Sequence, residues 1–459
     1  MRTKILQFWD AVILCVMFSI LWAVWLLPNT VAIRHSAIAI GVILSLYIIY
    51  RNYRLLVDKN IIPILLIILL IIWITLHLFF IGREIELQQK EYYGVWRKIT
   101  ISLLFAVGLG LSLANLYNRT NELNFCWKIF YVGLTLPVVV YFVKLLLTKY
   151  SEYWGISSPY LLLDSNYQEN SYGISRAIYS FYCIPSFATS ICYLTLNEFK
   201  FNNKFDFLYA VSIILTPLLF FLESDRMGLL ITLFITFTAA VFTLVTIFCN
   251  FNLKKLLVFS LVVIVLLFIG RGFTTKFPHL PVLLENAKIS ISINKQDSWK
   301  YAGTKAFPTN SYGQEPDRST YERISWFVAG SNLLSKYPFG YGLLSLSFDK
   351  ISKIEWPGSI LSMTHSGFLD FALGYGFIGI ALLLSSILIS IYQGRNLPKP
   401  WFYFVISGYS SLLIVMLLKE LSYEITIHAL IFLIVLLSTF SCGVNSLKIV
   451  NTKNAKLKV

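Results

Sequence analysis

Charge is scarce in this chain. Asp, Glu, Lys and Arg together make up 13% of its 459 residues, against 57% hydrophobic residues. By length alone a soluble chain would hold about three domains, but so few polar side chains cannot clothe three globular surfaces. Histidine is rarer still, confined to His35, His77, His279, His365 and His428. There is no His-x-x-x-His, no cysteine pair at metal spacing and no Asp-x-Asp in the first outer loop. Zinc hydrolysis and metal-dependent glycosyl transfer therefore lack a ligand set, and neither metal nor cofactor is expected. The cysteines, Cys15, Cys126, Cys183, Cys192, Cys249 and Cys442, fall within or beside apolar runs. That excludes a disulfide framework and leaves them as small core residues. The net charge of +15 has no basic patch with interleaved aromatics in a soluble segment, so nucleic acid is not an expected partner. No repeat of 20 to 50 residues and no pair of Gly/Pro-broken helices in matching halves is visible, which argues against an inverted-repeat transporter.

What the chain has is apolar length. Runs at 11–27, 33–50, 61–80, 99–116, 126–148, 177–196, 207–222, 227–249, 255–270, 366–391, 401–418 and 425–442 each approach the ~20 residues that cross a bilayer. Helices satisfy their own backbone in lipid, so the expected fold is all-α: a polytopic transmembrane bundle of about twelve spans with one large outward loop. Arg2 and Lys4 before Ala11–Leu27 imitate a signal peptide, but no small-residue cleavage site follows, and the segment reads as a retained first helix. Starting inside, the inner segments carry sixteen Lys and Arg against nine in the short outer loops. Both termini are thus expected in the cytoplasm. The organisation follows as helices 1–9 over 1–270, a periplasmic loop over 271–365, helices 10–12 over 366–442 and a basic cytoplasmic tail over 443–459.

Within the outward loop, Ser319-Thr-Tyr-Glu322 has the capping-box pattern, and Ile324, Phe327, Val328 and Leu334 recur at helical spacing. The spacing predicts an amphipathic helix, packed on the bundle or lying in the interface, and Pro338 and Gly340 stop it. The stretch 278–318, rich in Lys, Asn, Ser, Gly and Pro, reads as irregular and lid-like. Pro217 is expected to kink the seventh span near its outer end.

Four residues carry the candidate chemistry. Arg226, in Glu223-Ser-Asp-Arg226-Met-Gly, interrupts an apolar region running from Val211 to Ile247. A charge at that depth costs about 2.5 kcal/mol or more, so it needs a partner or a task. It either pairs with Glu223 or Asp225, or opens a helix and presents its fork of donors to phosphate. Arg323 lies in the early turns of the loop helix, where backbone N–H groups already favour an anion; otherwise it pairs with Glu322 or Asp317. Arg176, at the outer mouth of the sixth span, is a third cation. His365 combines a loop end, the hydroxyls of Thr364 and Ser366 and a flexible Gly367. As a neutral imidazole it can take a proton from a sugar hydroxyl, or it is a satisfied interface histidine. Glu84, Glu86 and Glu91, interleaved with Arg83, Lys90 and Arg97, read as a solvated face.

The order of these features resembles the bacterial O-antigen ligase family (WaaL-like), within a wider group that includes Wzy-type polysaccharide polymerases and protein O-oligosaccharyltransferases. The matching residues are Ser224-Asp-Arg226-Met-Gly, then Glu322-Arg323 through Trp326 to Lys336-Tyr-Pro338-Phe-Gly-Tyr-Gly342, then His365-Ser-Gly-Phe-Leu-Asp370 leading to Gly374-Tyr-Gly376-Phe-Ile-Gly379. The strong part covers 223–380. Family ligases often have His-Asn where this chain has His365-Ser366. The resemblance implies a metal-free glycosyltransferase of the bacterial inner membrane that takes an undecaprenyl diphosphate-linked glycan as donor and lipid A-core as acceptor. It also implies that Arg226, Arg323 and Arg176 bind the donor diphosphate while His365 is the base. Polymerase, protein O-oligosaccharyltransferase and a non-enzymatic flippase for lipid-linked glycans remain alternatives.

Overall fold

The computed structural model describes residues 2–56, 61–155, 175–197, 204–249, 253–274 and 280–456. Among them there is no strand, and the protein is a polytopic helical membrane bundle. Its helices run α1 Arg2–Val24, α2 Val31–Asn52, α3 Ile62–Phe80, α4 Ile85–Glu91, α5 Arg97–Asn115, α6 Thr120–Trp154, α7 Arg176–Leu196, α8 Phe207–Leu222 and α9 Arg226–Cys249. Then follow α10 Leu253–Thr274, α11 Leu280–Ile291, α12 Arg318–Lys336, α13 Ser347–Glu355, α14 Gly367–Gly394, α15 Trp401–Tyr403, α16 Ser410–Leu418 and α17 Glu424–Lys456.

Eleven of these segments are long and apolar enough to cross a membrane among the described residues. The expected twelfth, 255–270, falls in α10, whose shorter apolar stretch Val262–Arg271 does not reach that length among the described residues. A π turn at Tyr92–Trp96 joins α4 to α5, so Ile85–Asn115 is one continuous span and not a loop followed by a helix. Pro217 lies inside α8, in its second half.

Two spans are enclosed by the others. α17 is strongly apolar and buried over nearly its whole crossing, small polar side chains such as Ser438 and Thr439 included, packed on α5, α14 and α3, and α7 is buried almost as fully. Such helices belong in the centre, where they gain more from close packing than from lipid tails. The N-termini of α7 and α9 and the turn before α17 therefore converge at the same end of the bundle, beside the segment 280–365.

That segment is more ordered than its composition implies. α11 and two 3-10 turns, Ile293–Lys295 and Ser298–Tyr301, occupy much of 280–318. They pack with α12 and α13 around a second core of Trp299, Tyr321, Trp326, Leu333 and Phe348. The helix α12 starts as expected, but its cap is Asp317, which accepts from the Thr320 amide at 3.0 Å. The expected capping box is not formed, because Glu322 is drawn to Arg318 one turn back, 3.0 Å away.

A seam of backbone hydrogen bonds ties the loop to α14. Gly340 and Gly342 adopt left-handed φ of 81° and 106°. Tyr341 N donates to Leu373 O at 2.9 Å, Gly342 N to Gly374 O at 2.7 Å and Phe377 N to Pro338 O at 2.9 Å. The receiving helix is broken there, since Gly376 has φ 70° and ψ −172°. A Cβ on Gly340 would meet Gly374 O at 2.4 Å, and one on Gly376 would meet Pro338 O at 2.3 Å. The break frees a carbonyl at membrane depth, and the Trp73 indole N–H satisfies it, donating to Tyr375 O at 2.8 Å.

Candidate functional site

His365 sits in the short loop before α14 with φ 60°, a strained setting for a residue with a β-carbon. Its neighbours hold it there. Thr364 N donates to the buried Asp370 carboxylate at 2.8 Å, Ser366 caps α14, and Gly367 N donates to Lys419 O at 2.7 Å. The imidazole lies flat on Trp326 of α12, with ring centroids 5.1 Å apart and planes 3° apart. Its Nδ1 is 2.7 Å from Oε2 of Glu420. Burial alone would raise the Glu420 carboxyl, but the hydrogen bond and charge of His365, together with the charge of Arg323, bring it down to about 2. With Glu420 ionised, a neutral His365 imidazole donates its Nδ1 proton to the carboxylate and keeps its lone pair on Nε2, which has no hydrogen-bond partner among the described residues.

The arginines approach from two other elements. Arg323, one turn before Trp326 on α12, is half-buried and has no hydrogen bond or ion pair among the described residues. Its charge is felt at both Glu420 and Lys419. Neither expected partner holds it: Glu322 pairs with Arg318, and Asp317 pairs with Arg226 at 3.1 Å. Arg226 opens α9, as expected, with its partner on the loop helix in place of Glu223 or Asp225. Glu223 accepts from the Tyr141 hydroxyl at 2.8 Å. Asp225 turns inward to Lys419, 2.5 Å away, with both side chains buried. The Asp317 carboxyl is also held down: burial opposes this, but Thr320 and Arg226 both favour its ionised form.

Asp225 and Lys419 knit the site together. Asp225 caps α9 through Gly228 N at 3.0 Å and accepts from Ser180 of α7 at 2.9 Å. Lys419 also reaches the carbonyl of Arg176 at 3.4 Å. Each partner is the chain neighbour of another member of the cluster, Asp225 beside Arg226 and Lys419 beside Glu420. One buried ion pair thus sets the spacing between the Arg226 side of the cluster and the Glu420–His365 side. Removing either charge alone would strand the other in a low-dielectric interior. Arg176 itself is exposed at the first position of α7, at the rim of the same cluster.

The acidic residues read as a solvated face divide in the structure. Glu86 is exposed. Glu84 accepts from the Tyr341 hydroxyl at 2.7 Å and pairs with Lys350 at 2.9 Å. Glu91 accepts from Leu344 N at 2.8 Å and from the Tyr375 hydroxyl at 2.9 Å. Both therefore dock the 340–350 segment on the bundle. His428 is likewise structural, buried in α17 and 2.6 Å from the Ser102 hydroxyl. His279 lies outside the described residues. Among the described residues no three His, Cys, Asp or Glu side chains gather as a cation cage.

Glu420, Lys419 and Trp326 are the members the sequence reading passes over. The available signal was Lys419-Glu420 itself, adjacent opposite charges in a turn of a few residues between two apolar spans, where charge needs a partner.

Residues 210–384 match the family described as O-antigen ligase, a range that encloses both arginines, the glycine-rich seam and His365. No curated protein matches the chain. The matched region is O-antigen ligase-like and supports glycosyl transfer as the general chemistry of a multi-pass membrane protein.

Proposed function

From an O-antigen ligase-like region that ends in a histidine–carboxylate pair, we propose that this protein transfers a glycan from undecaprenyl diphosphate onto lipid A-core at the periplasmic face of the inner membrane. The observation that carries the reading is the half-buried Arg323, without a hydrogen bond or ion pair among the described residues, whose charge reaches the Glu420 that holds Nδ1 of His365. One group awaits an anion and the other awaits a proton.

The steps follow from those atoms. The donor diphosphate lies against Arg323 and Arg226, with Asp317 exchanged for phosphate oxygen on Arg226, and Arg176 at the rim adds a third cation. Nε2 of His365 takes the proton of the acceptor hydroxyl, whose oxygen attacks the anomeric carbon. The anomeric C–O bond breaks away from the attacking side and inverts the centre. The departing diphosphate keeps the electron pair, and its growing charge is stabilised by guanidinium groups already in place. Glu420 stabilises the imidazolium until its proton is lost to water.

Deletion of the gene, followed by a gel of lipopolysaccharide, tests the acceptor. Core without O-chains, together with accumulated lipid-linked polymer, is the expected pattern. Core carrying a single repeat unit would replace ligation with polymerisation.

A further inference from the structure

The bundle has a concave site at the end away from His365. α7 begins at Arg176 beside Lys419 and runs 21 residues to Leu196, which at 1.5 Å per residue places its other end ~30 Å away. There, between the start of α6, the end of α7, the start of α8 and the turn before α15, lies a cavity of about 530 Å³. That volume falls within the ~300–1,000 Å³ typical of ligand pockets.

Its chemistry is uneven in an informative way. The floor is aromatic and buried, with Trp127 donating to the Tyr209 hydroxyl at 2.8 Å and Tyr403 beside them. The rim carries two exposed ammonium groups, Lys128 and Lys399. Neither has a hydrogen bond or ion pair among the described residues; each faces only an aromatic ring, at 5.8 Å and 5.6 Å. Among the described lining residues the only carboxylate, Asp206, is buried, accepts from the Tyr193 hydroxyl at 3.2 Å and forms no ion pair with either lysine. An aromatic floor under two cations that have no ion pair among the described residues, at the end of a membrane bundle, suits a group with apolar stem and anionic head.

We propose that this cavity binds the phosphate of an anionic ligand, with Lys128 and Lys399 as the two charge contacts. The ligand is an anionic phospholipid headgroup or a free phosphate compound. The site is separate from the glycosyl-transfer centre and stands whether or not that reading holds.

Purified, delipidated full-length protein would be titrated with short-chain phosphatidylglycerol, with short-chain phosphatidylcholine and with inorganic phosphate, following the thermal melting midpoint. The expected result is stabilisation by phosphatidylglycerol, none by phosphatidylcholine, and an apparent affinity about 30-fold weaker in Lys128→Gln/Lys399→Gln. Lys128→Arg/Lys399→Arg should keep the affinity, which separates charge from folding. Equal stabilisation by millimolar inorganic phosphate, lost in the same Gln variant, would identify a soluble phosphate compound as the ligand. Arg51→Gln/Arg54→Gln removes an exposed basic pair outside the cavity. If that pair weakens binding as much, if the Lys→Gln variant binds like the wild type, or if neither anion stabilises the wild type, the site is overturned.

Discussion

Replacing Glu420 by Gln changes one charge and almost no volume, which makes it the sharpest probe of the proposed base. At 2.7 Å the carboxylate does two things for His365. It accepts the Nδ1 proton and so fixes the tautomer with a free Nε2, and it faces the positive charge that appears when Nε2 takes a proton. Unit charges ~4 Å apart in a partly buried site interact by about 4 kcal/mol. The amide keeps a fraction of that through its own dipole, leaving a loss of about 3 kcal/mol, or roughly a hundredfold in kcat. The arginines are untouched, so KM for the donor should stay within about threefold. The assay is initial-rate transfer by purified protein from a polyprenyl diphosphate glycan, with donor binding measured separately. A change of pH supplies a second reading. The folded-state value of Glu420 lies near 2, well below that of a free carboxyl near 4.5. Its contribution to stability is therefore fully present above about 4.5 and is lost as pH falls towards 2; in size it is on the order of 3 kcal/mol. Glu420→Gln should accordingly melt earlier than wild type at neutral pH, and the gap should close in strong acid. A variant with kcat within threefold of wild type, or one that loses donor binding in step with rate, would refute the assignment of Glu420 to the base.

Four further outcomes are expected. His365→Ala should lose about 100-fold to 10,000-fold in rate while retaining donor binding; His35→Ala, an exposed histidine, is the control, and equal losses in both would remove the base from His365. Arg226→Lys and Arg323→Lys should each lose most transfer at near-normal expression, because an ammonium cannot reproduce the two-pronged contact of guanidinium with phosphate; half the wild-type rate in either would dismiss the clamp. Transfer in excess EDTA should equal the untreated rate, and a loss restored by magnesium would assign metal binding to acidic residues such as Asp225 or Asp317. Gly376→Ala should depress the yield of folded protein, since its φ of 70° and the Pro338 carbonyl at 2.3 Å leave no room for a methyl group; normal thermal stability would show that the seam yields.

The bundle was legible because lipid enforces a simple rule: apolar runs of about 20 residues become helices. Arg226, Arg323 and His365 were legible because charge stands out in such a background. Their partners were not. Asp317 rather than Asp225 holds Arg226 because a buried lysine 194 positions away competes for Asp225, and no local pattern announces a contact of that separation. The capping box lost to an Arg318–Glu322 pair of equal local plausibility. Composition misjudged 278–318 for a related reason: its helix α11 is stabilised by a core assembled from α12 and α13, which a window along the chain does not see. Glu84 and Glu91 looked solvated because the groups that donate to them, on Tyr341, Leu344 and Tyr375, lie 253 to 284 residues on.

The glycine seam between 338–342 and 373–377 bears on how this protein can be taken apart. Its hydrogen bonds join main chain to main chain across glycines that admit no β-carbon, so they are intolerant of any shift in register. The extramembrane segment is thus no detachable module: expressed alone it would present unpaired amides where the broken helix belongs, and would be expected to aggregate. A chimera designed to move acceptor preference between relatives should exchange 280–380 as a single block, with both edges of the seam from one parent. Cut at the membrane boundary near 366, the same exchange would pair two halves of an interface that had never been fitted to each other.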